Sequence, residues 1–216
     1  MGADVKVNPT TDRGRATVGR VLDAACDLFA AQGIQSTSLD DIGAAAGVGR
    51  GQLYHFFVDK SDIVAEVVAY QVERVIASLR PTLDAMSTAD DVRAWCDEVV
   101  AFYEGSSEAI RCPIGSLIYQ LGQNDDAARK ALRNGFAHWE DLLEAGLQRV
   151  ADSGGMTTAA DARSLAAALL AVYEGGVLLA SLSGDVGPLR RALHGATRGA
   201  LTSTPESGES DRVRTA

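Results

Sequence analysis

Apolar residues recur at three- and four-residue spacing along most of this chain. Strand-length alternation of β-branched residues is missing, and alanine is abundant, so the pattern predicts an all-helical protein. Val18, Leu22, Ala25 and Phe29 share one face of a first helix running from about Arg15 to Gln32, which Gly33 ends. Ser38 before Leu39-Asp40-Asp41 reads as the cap of a short second helix that stops at Gly47. A third helix runs from about Arg50 to Phe57. A fourth opens at Asp59-Lys60-Ser61-Asp62, carries the apolar stripe Ile63, Val64, Val67, Val68, Val75, Ile76 and Leu79, and should kink or end at Pro81.

Further helices are expected at about 89–104, 115–121, 125–152, 159–182 and 187–201, separated by Gly105, Pro113, Gly154-Gly155, Gly184 and Pro188. Residues 1–12 and 203–216 lack periodicity and read as a disordered arm and tail. Ala166–Ala180, the longest apolar stretch, is interrupted by Glu174 and two glycines and reads as too short and too polar for a bilayer span.

The stretch Ser38–Phe57 holds two short helices joined by a glycine-containing turn, the helix-turn-helix pattern. Ala45 and Ala46 are small where the helices should cross, Gly47 permits a positive φ, and Val48 fits the wedge between them. Leu53 and Phe57 lie four apart and anchor the third helix inward. The opposite face then presents Gly51, Gln52, Tyr54 and His55, a polar and aromatic surface suited to the major groove. Tyr54 also suits half-buried packing, and His55 a solvated surface site.

Thr37-Ser38, Ile42, Ala46-Gly47-Val48, Leu53-Tyr54-His55-Phe56-Phe57 and Lys60 follow the motif of the TetR/AcrR family, which residues 13–62 resemble closely. The resemblance implies an N-terminal three-helix DNA-binding domain (13–60) followed by a helical ligand-binding and dimerisation domain (61–202). It implies DNA contacts from Thr37, Ser38, Arg50, Gly51, Gln52, Tyr54, His55 and Lys60. Among these, Ser38, Tyr54 and Lys60 match phosphate-contacting positions, and Arg50, Gly51 and Gln52 match those that approach base edges. Two positions depart from the pattern: Gly49 stands where Ser or Thr usually caps the recognition helix, and Gln52 where Thr, Ser or Ala is common.

Cys112-Pro113-Ile114-Gly115 is similar to an element of the LmrA/YxaF-like branch, where it opens a helix lining the pocket. Pro113 is equally a simple helix-start signal. That element and aromatic residues of this half form the expected effector site, Trp95, Phe102, Tyr103, Cys112, Ile114, Leu117, Phe136, Trp139 and Tyr173, although any single aromatic also suits ordinary core packing. A homodimer interface is implied along the last two helices, from the stripes Leu165, Leu169, Val172, Gly176 and Leu179, and Leu189 and Leu193. Both stripes would serve equally as intrachain core.

Charge refines this picture. The formal net charge is −9, but residues 1–60 carry six basic and seven acidic side chains against fourteen and twenty-two in the remainder. The N-terminal part is near neutral, with Arg13, Arg15 and Arg20 close together. That permits DNA binding without strong non-specific attraction. Three widely spaced cysteines make no disulfide framework and read as reduced thiols. There is no phosphate loop, GxSxG or HExxH, and Cys96, Cys112 and His138 lack metal-ligand spacing. Neither an enzyme nor a cofactor or metal site is expected.

The resemblance therefore implies a cytoplasmic transcriptional repressor with no membrane association. Such a protein is expected to bind a palindromic double-stranded DNA operator as a homodimer and to be released by a small hydrophobic or aromatic effector. The alternative is a helical dimeric adaptor that no longer binds DNA.

Overall fold

The computed structural model describes residues 9–105, 110–123 and 125–202. The expected tail, and the first eight residues of the expected arm, lie outside them. Among the described residues the regular elements are helical: α1 (Asp12–Gln32), α2 (Leu39–Ala46), α3 (Arg50–Phe56), α4 (Lys60–Ala85), α5 (Ala89–Glu104), a 3-10 helix (Gly115–Gln120), α6 (Asp126–Asp152), α7 (Ala162–Ser183) and α8 (Gly187–Thr197). The described residues cluster into two compact units, one within Met1–Pro81 and Arg111–Trp139, the other within Thr82–Ile110 and Glu140–Ala216.

In the first unit α1 begins three residues before the expected start. Thr11 supplies a cap that the arm reading overlooked, its hydroxyl accepting from Gly14 N at 3.1 Å. Val21, Leu22, Ala25 and Phe29 of α1 pack in a core with Ile34, Ile42, Leu53, Phe56, Phe57, Ile63, Val64, Val67 and Val68. The 111–125 segment belongs to this unit. Gln120 Oε1 accepts from Ile34 N at 3.0 Å, and Asp125 Oδ1 accepts from Ser61 Oγ at 3.1 Å. The helix expected at 115–121 is a 3-10 helix, with Leu117 buried within it and Cys112 and Ile114 buried just before it.

Helix α4 does not end at Pro81 but continues to Ala85. In the second unit Arg149 satisfies carbonyls at that end, Nη2 donating to Leu83 O at 2.6 Å and Nε to Met86 O at 3.0 Å. Helices α7 and α8 pack closely. A Cβ placed on Gly176 would lie 2.8 Å from Leu189 Cδ1 and 3.0 Å from its Cα, so no larger residue fits without shifting a helix. The ion pair Arg190–Glu104 (2.5 Å) and the hydrogen bond between His194 Nε2 and Asp97 Oδ1 (3.1 Å) join α8 to α5.

Helix α7 is longer than the apolar stretch Ala166–Ala180. Among the described residues it is the one helix long and apolar enough, by length and composition, to cross a membrane, and it is partly buried within the fold. The expectation that this region is too short and polar for a span is corrected to that extent. The buried side of α7 packs against α8 at Gly176 and meets α5 at Tyr173.

Candidate nucleic-acid interface

Helices α2 and α3 are joined by Gly47-Val48-Gly49. Gly47 is left-handed, φ 64° and ψ 37°, a conformation that costs a side-chain-bearing residue. Val48 is buried in the wedge as expected. The residue at the close crossing is Gly43 rather than Ala45, which is exposed. A Cβ on Gly43 would sit 3.2 Å from Val48 O and 3.9 Å from Leu53 Cδ1. Leu53 and Phe57 point inward as predicted. Phe56, which the four-residue spacing passed over, is buried beside them, three residues from Leu53.

With those anchors inside, Arg50, Gly51, Gln52, Tyr54 and His55 face outward together. Arg50 is engaged by a carboxylate of the preceding helix: Nε donates to Asp40 Oδ1 at 3.0 Å and Nη2 to Oδ2 at 2.6 Å. That bidentate contact favours the charged guanidinium still further. His55 lies edge-on to Phe56, ring centroids 4.8 Å apart. Gln52 and His55 line a shallow cleft of about 410 Å³ with Thr11, Arg13, Gly14 and Thr17, so the start of α1 stands beside the outward face of α3.

Ser38 caps α2. Its Oγ accepts from Asp41 N at 3.1 Å, and Asp41 Oδ2 accepts from Ser38 N at 2.9 Å and Oγ at 2.7 Å. Those bonds from Ser38, the side-chain one foremost, hold the Asp41 carboxyl below its usual range. Thr37 does not belong to the exposed surface. It is 1% exposed, its Oγ1 donating to Gly33 O at 2.9 Å and accepting from Gln32 Nε2 at 3.2 Å. Its hydroxyl is spent on the α1–α2 turn, which removes it from the predicted DNA contacts. Lys60 sits at the start of α4, with Nζ donating to Gln35 O at 3.3 Å. The basic cluster near the N-terminus is partly tied down: Arg15 pairs with Asp12 at 2.5 Å, and Arg20 Nε donates to Ala46 O at 3.4 Å.

The expected effector residues divide between the units. The second unit holds Trp95, Phe102, Tyr103 and Tyr173. The Tyr103 and Tyr173 hydroxyls are buried and 2.7 Å apart. Trp95 is buried, and its Nε1 has no hydrogen-bond partner among the described residues. Phe102, in the last turn of α5, is 65% exposed and leans edge-on against Tyr103, so it is not an inward-facing wall of this unit. The first unit holds Cys112, Ile114, Leu117, Phe136 and Trp139. Phe136 and Trp139 stack with centroids 6.4 Å apart, and Cys112 Sγ accepts from Gly115 N at 3.3 Å. In the same unit Arg80 Nη2 and His138 Nε2 are 3.0 Å apart in an open groove of about 540 Å³ between α4 and α6. None of the expected effector residues lines that groove. Burial raises the Cys26 thiol to about 11 and the Cys96 thiol to about 12.

The expected dimer residues are mostly spent inside the chain. Leu165, Leu169, Gly176, Leu189 and Leu193 are buried within the second unit. Val172 is half-buried, and of the seven only Leu179 is exposed. Periodicity placed both stripes on real helix faces, but those faces meet each other. The outward side of α7 carries Ala168, Ala171, Gly175, Leu178 and Leu182, the last 85% exposed.

Residues 21–67 match the model of the tetR family of bacterial regulatory proteins, and residues 88–194 match the C-terminal domain of LmrA/YxaF-like transcriptional regulators. The HTH-type transcriptional regulator LmrA of Bacillus subtilis is 24% identical over 172 residues, 79% of this chain and 89% of LmrA. AcrR of Shigella flexneri is 47% identical over 58 residues, 27% of each chain. Among solved structures, a complex of SmeT with triclosan superposes with a TM-score of 0.71 at 26% identity, covering 87% of this chain and 93% of that one. SmeT is the repressor of a multidrug efflux pump of Stenotrophomonas maltophilia.

Proposed function

Because the chain belongs to the TetR family of bacterial regulatory proteins, which are DNA-binding regulators and not enzymes, we propose that it represses transcription as a homodimer on a palindromic operator and is released by a small hydrophobic or aromatic molecule. The observation that carries the DNA half is the outward face of α3, where Arg50, Gln52, Tyr54 and His55 stand exposed above buried Leu53 and Phe56. Arg pairs bidentately with guanine and Gln with adenine, so Arg50 and Gln52 read bases. Gly51 lets the helix approach the groove closely. Ser38, Tyr54, His55 and Lys60 meet the backbone, which fixes register without reading sequence.

A single α3 covers one half-site. Two half-sites about 34 Å apart need a two-fold pair of chains. The strip Ala168, Ala171, Gly175, Leu178 and Leu182 on α7 is the face assigned to that pairing. Its alanines and glycine let a partner helix come close, and its leucines supply apolar area. Leu182→Glu should shift the protein towards monomer in sedimentation, with loss of operator affinity. A dimer unchanged by that substitution rules this face out.

Support for the effector class comes from the buried aromatic groups Trp95, Tyr103 and Tyr173, and from the triclosan complex of SmeT. The Trp95 N–H offers a donor to an acceptor on such a molecule. Effector binding is transmitted by a shift of α4, which begins at Lys60 beside the DNA-facing segment. Release requires the effector to favour the state that does not fit DNA.

Footprinting the DNA flanking the chain's own gene tests the reading. Arg50→Ala should weaken operator binding roughly tenfold to a hundredfold and relax one base position, while random DNA is little affected. Equal losses on both would make Arg50 a phosphate contact. A saturating effector that leaves operator affinity unchanged would remove the release mechanism.

A further inference from the structure

We propose that Asp40 is a positioning residue for base reading: it holds the Arg50 guanidinium side-on, so that only the outer edge of that group is offered to a guanine. The proposal rests on the assignment of Arg50 as a base reader and names what aims it.

A guanidinium has five N–H donors in a fixed plane. Asp40 takes the Nε–H and one N–H of Nη2, at 3.0 and 2.6 Å. Three donors remain, one on Nη2 and two on Nη1. One from each nitrogen forms the parallel outer pair whose spacing matches O6 and N7 of guanine. The side-on contact therefore leaves the reading edge intact and fixes the plane in which it lies.

Arg50 has little else to hold it in place. It stands between Gly49 and Gly51, and a Cβ added at either would meet no atom within 4 Å. It is the first residue of α3, which starts without a side-chain cap. Both partners of the pair are exposed, Arg50 by 70% and Asp40 by 65% of their side chains. An unrestrained arginine there samples many rotamers and meets phosphate as readily as base. Asp40 is also not needed for capping its own helix, because Ser38 and the neighbouring Asp41 close that box. The carboxylate adds a second effect. It balances the arginine's charge, lowering the attraction of α3 for phosphate of any sequence, so that discrimination comes from hydrogen-bond geometry.

The test is selection of binding sites from a random duplex library with the full-length chain, followed by titration of single-base-pair variants. The wild type should fix a G·C pair at one position of each half-site. Asp40→Asn, which cannot accept both N–H groups, should cut the preference for that pair about tenfold and raise affinity for random duplex at low salt. Asp40→Glu, which keeps the carboxylate, should restore part of the preference. Circular dichroism of each variant verifies that the helices persist. An Asp40→Asn protein with unchanged base preference, or with the same affinity change on every sequence, overturns the proposal while leaving Arg50 as a reader. If Arg50→Ala itself weakens all sequences equally, the base-reading assignment falls and this inference with it.

Discussion

Helix α2 begins with Ser38 and Asp41 closing on each other; helix α3, three residues after α2 ends, begins at Gly49 with no side chain to offer its first amides. The first helix carries two aspartates in its opening turn, where they complement the dipole; the second carries an arginine, where a cation is unfavourable. One helix is stabilised by its own sequence. The other, only seven residues long, is held by what it packs against: Leu53, Phe56 and the following Phe57 in the core, and Asp40 outside. A helix this short is marginal by itself. The contrast teaches that the segment assigned to DNA carries no side-chain cap of its own and takes its stability from its neighbours in the fold.

The largest test of that contrast is Phe57→Ala. If α3 depends on buried anchors, the substitution should lower stability by about 3–5 kcal/mol in a denaturant titration. Operator binding should fall with it. A loss below about 1 kcal/mol would mean that α3 supports itself. Ser38→Ala should cost about 1 kcal/mol and speed amide exchange in the first turn of α2 but not in α3; equal acceleration in both breaks the comparison.

Acid probes the same cap more gently. The folded-state pKa of Asp41 lies below its unfolded value, so its contribution is present above the unfolded value and fades as pH falls through the folded one. The stability gap between wild type and Asp41→Asn should therefore close in that acid window, and a gap that widened there would contradict the box. The smallest effect belongs to Gly49→Ser. Giving α3 the missing cap should add a few tenths of a kcal/mol, read as a small rise in the unfolding midpoint.

Much of this was legible in the sequence because the devices are local. Ser38 with Asp41, the left-handed Gly47 and the inward pair Leu53 and Phe57 each act within a few residues. Part of what escaped detection acts across the fold, and part is equally local but leaves no mark on the apolar pattern. Asp40 and Arg50 are ten residues apart and meet only because the turn folds α3 back on α2. Thr37 looks like a free hydroxyl until Gly33 O comes within 2.9 Å. Helix α7 is apolar almost all round, so periodicity shows faces without saying which one meets α8. Leu169 and Gly176 are buried, Gly176 against Leu189 of α8, and Leu178 and Leu182 are outside. The early start of α1 was missed because a cap is a single residue, Thr11, set in an otherwise patternless stretch.

The depth at which the native thiols lie has a practical consequence. Cys26, Cys96 and Cys112 are all buried, and the first two are held far above the pH at which thiolates react with alkylating reagents. A cysteine introduced at an exposed position, such as Tyr119→Cys where the side chain is 84% exposed, would be modified well ahead of them. Fluorophores or spin labels can thus be attached at chosen points without first stripping the chain of its own sulfur, and distances between labels followed as DNA or a small molecule is added.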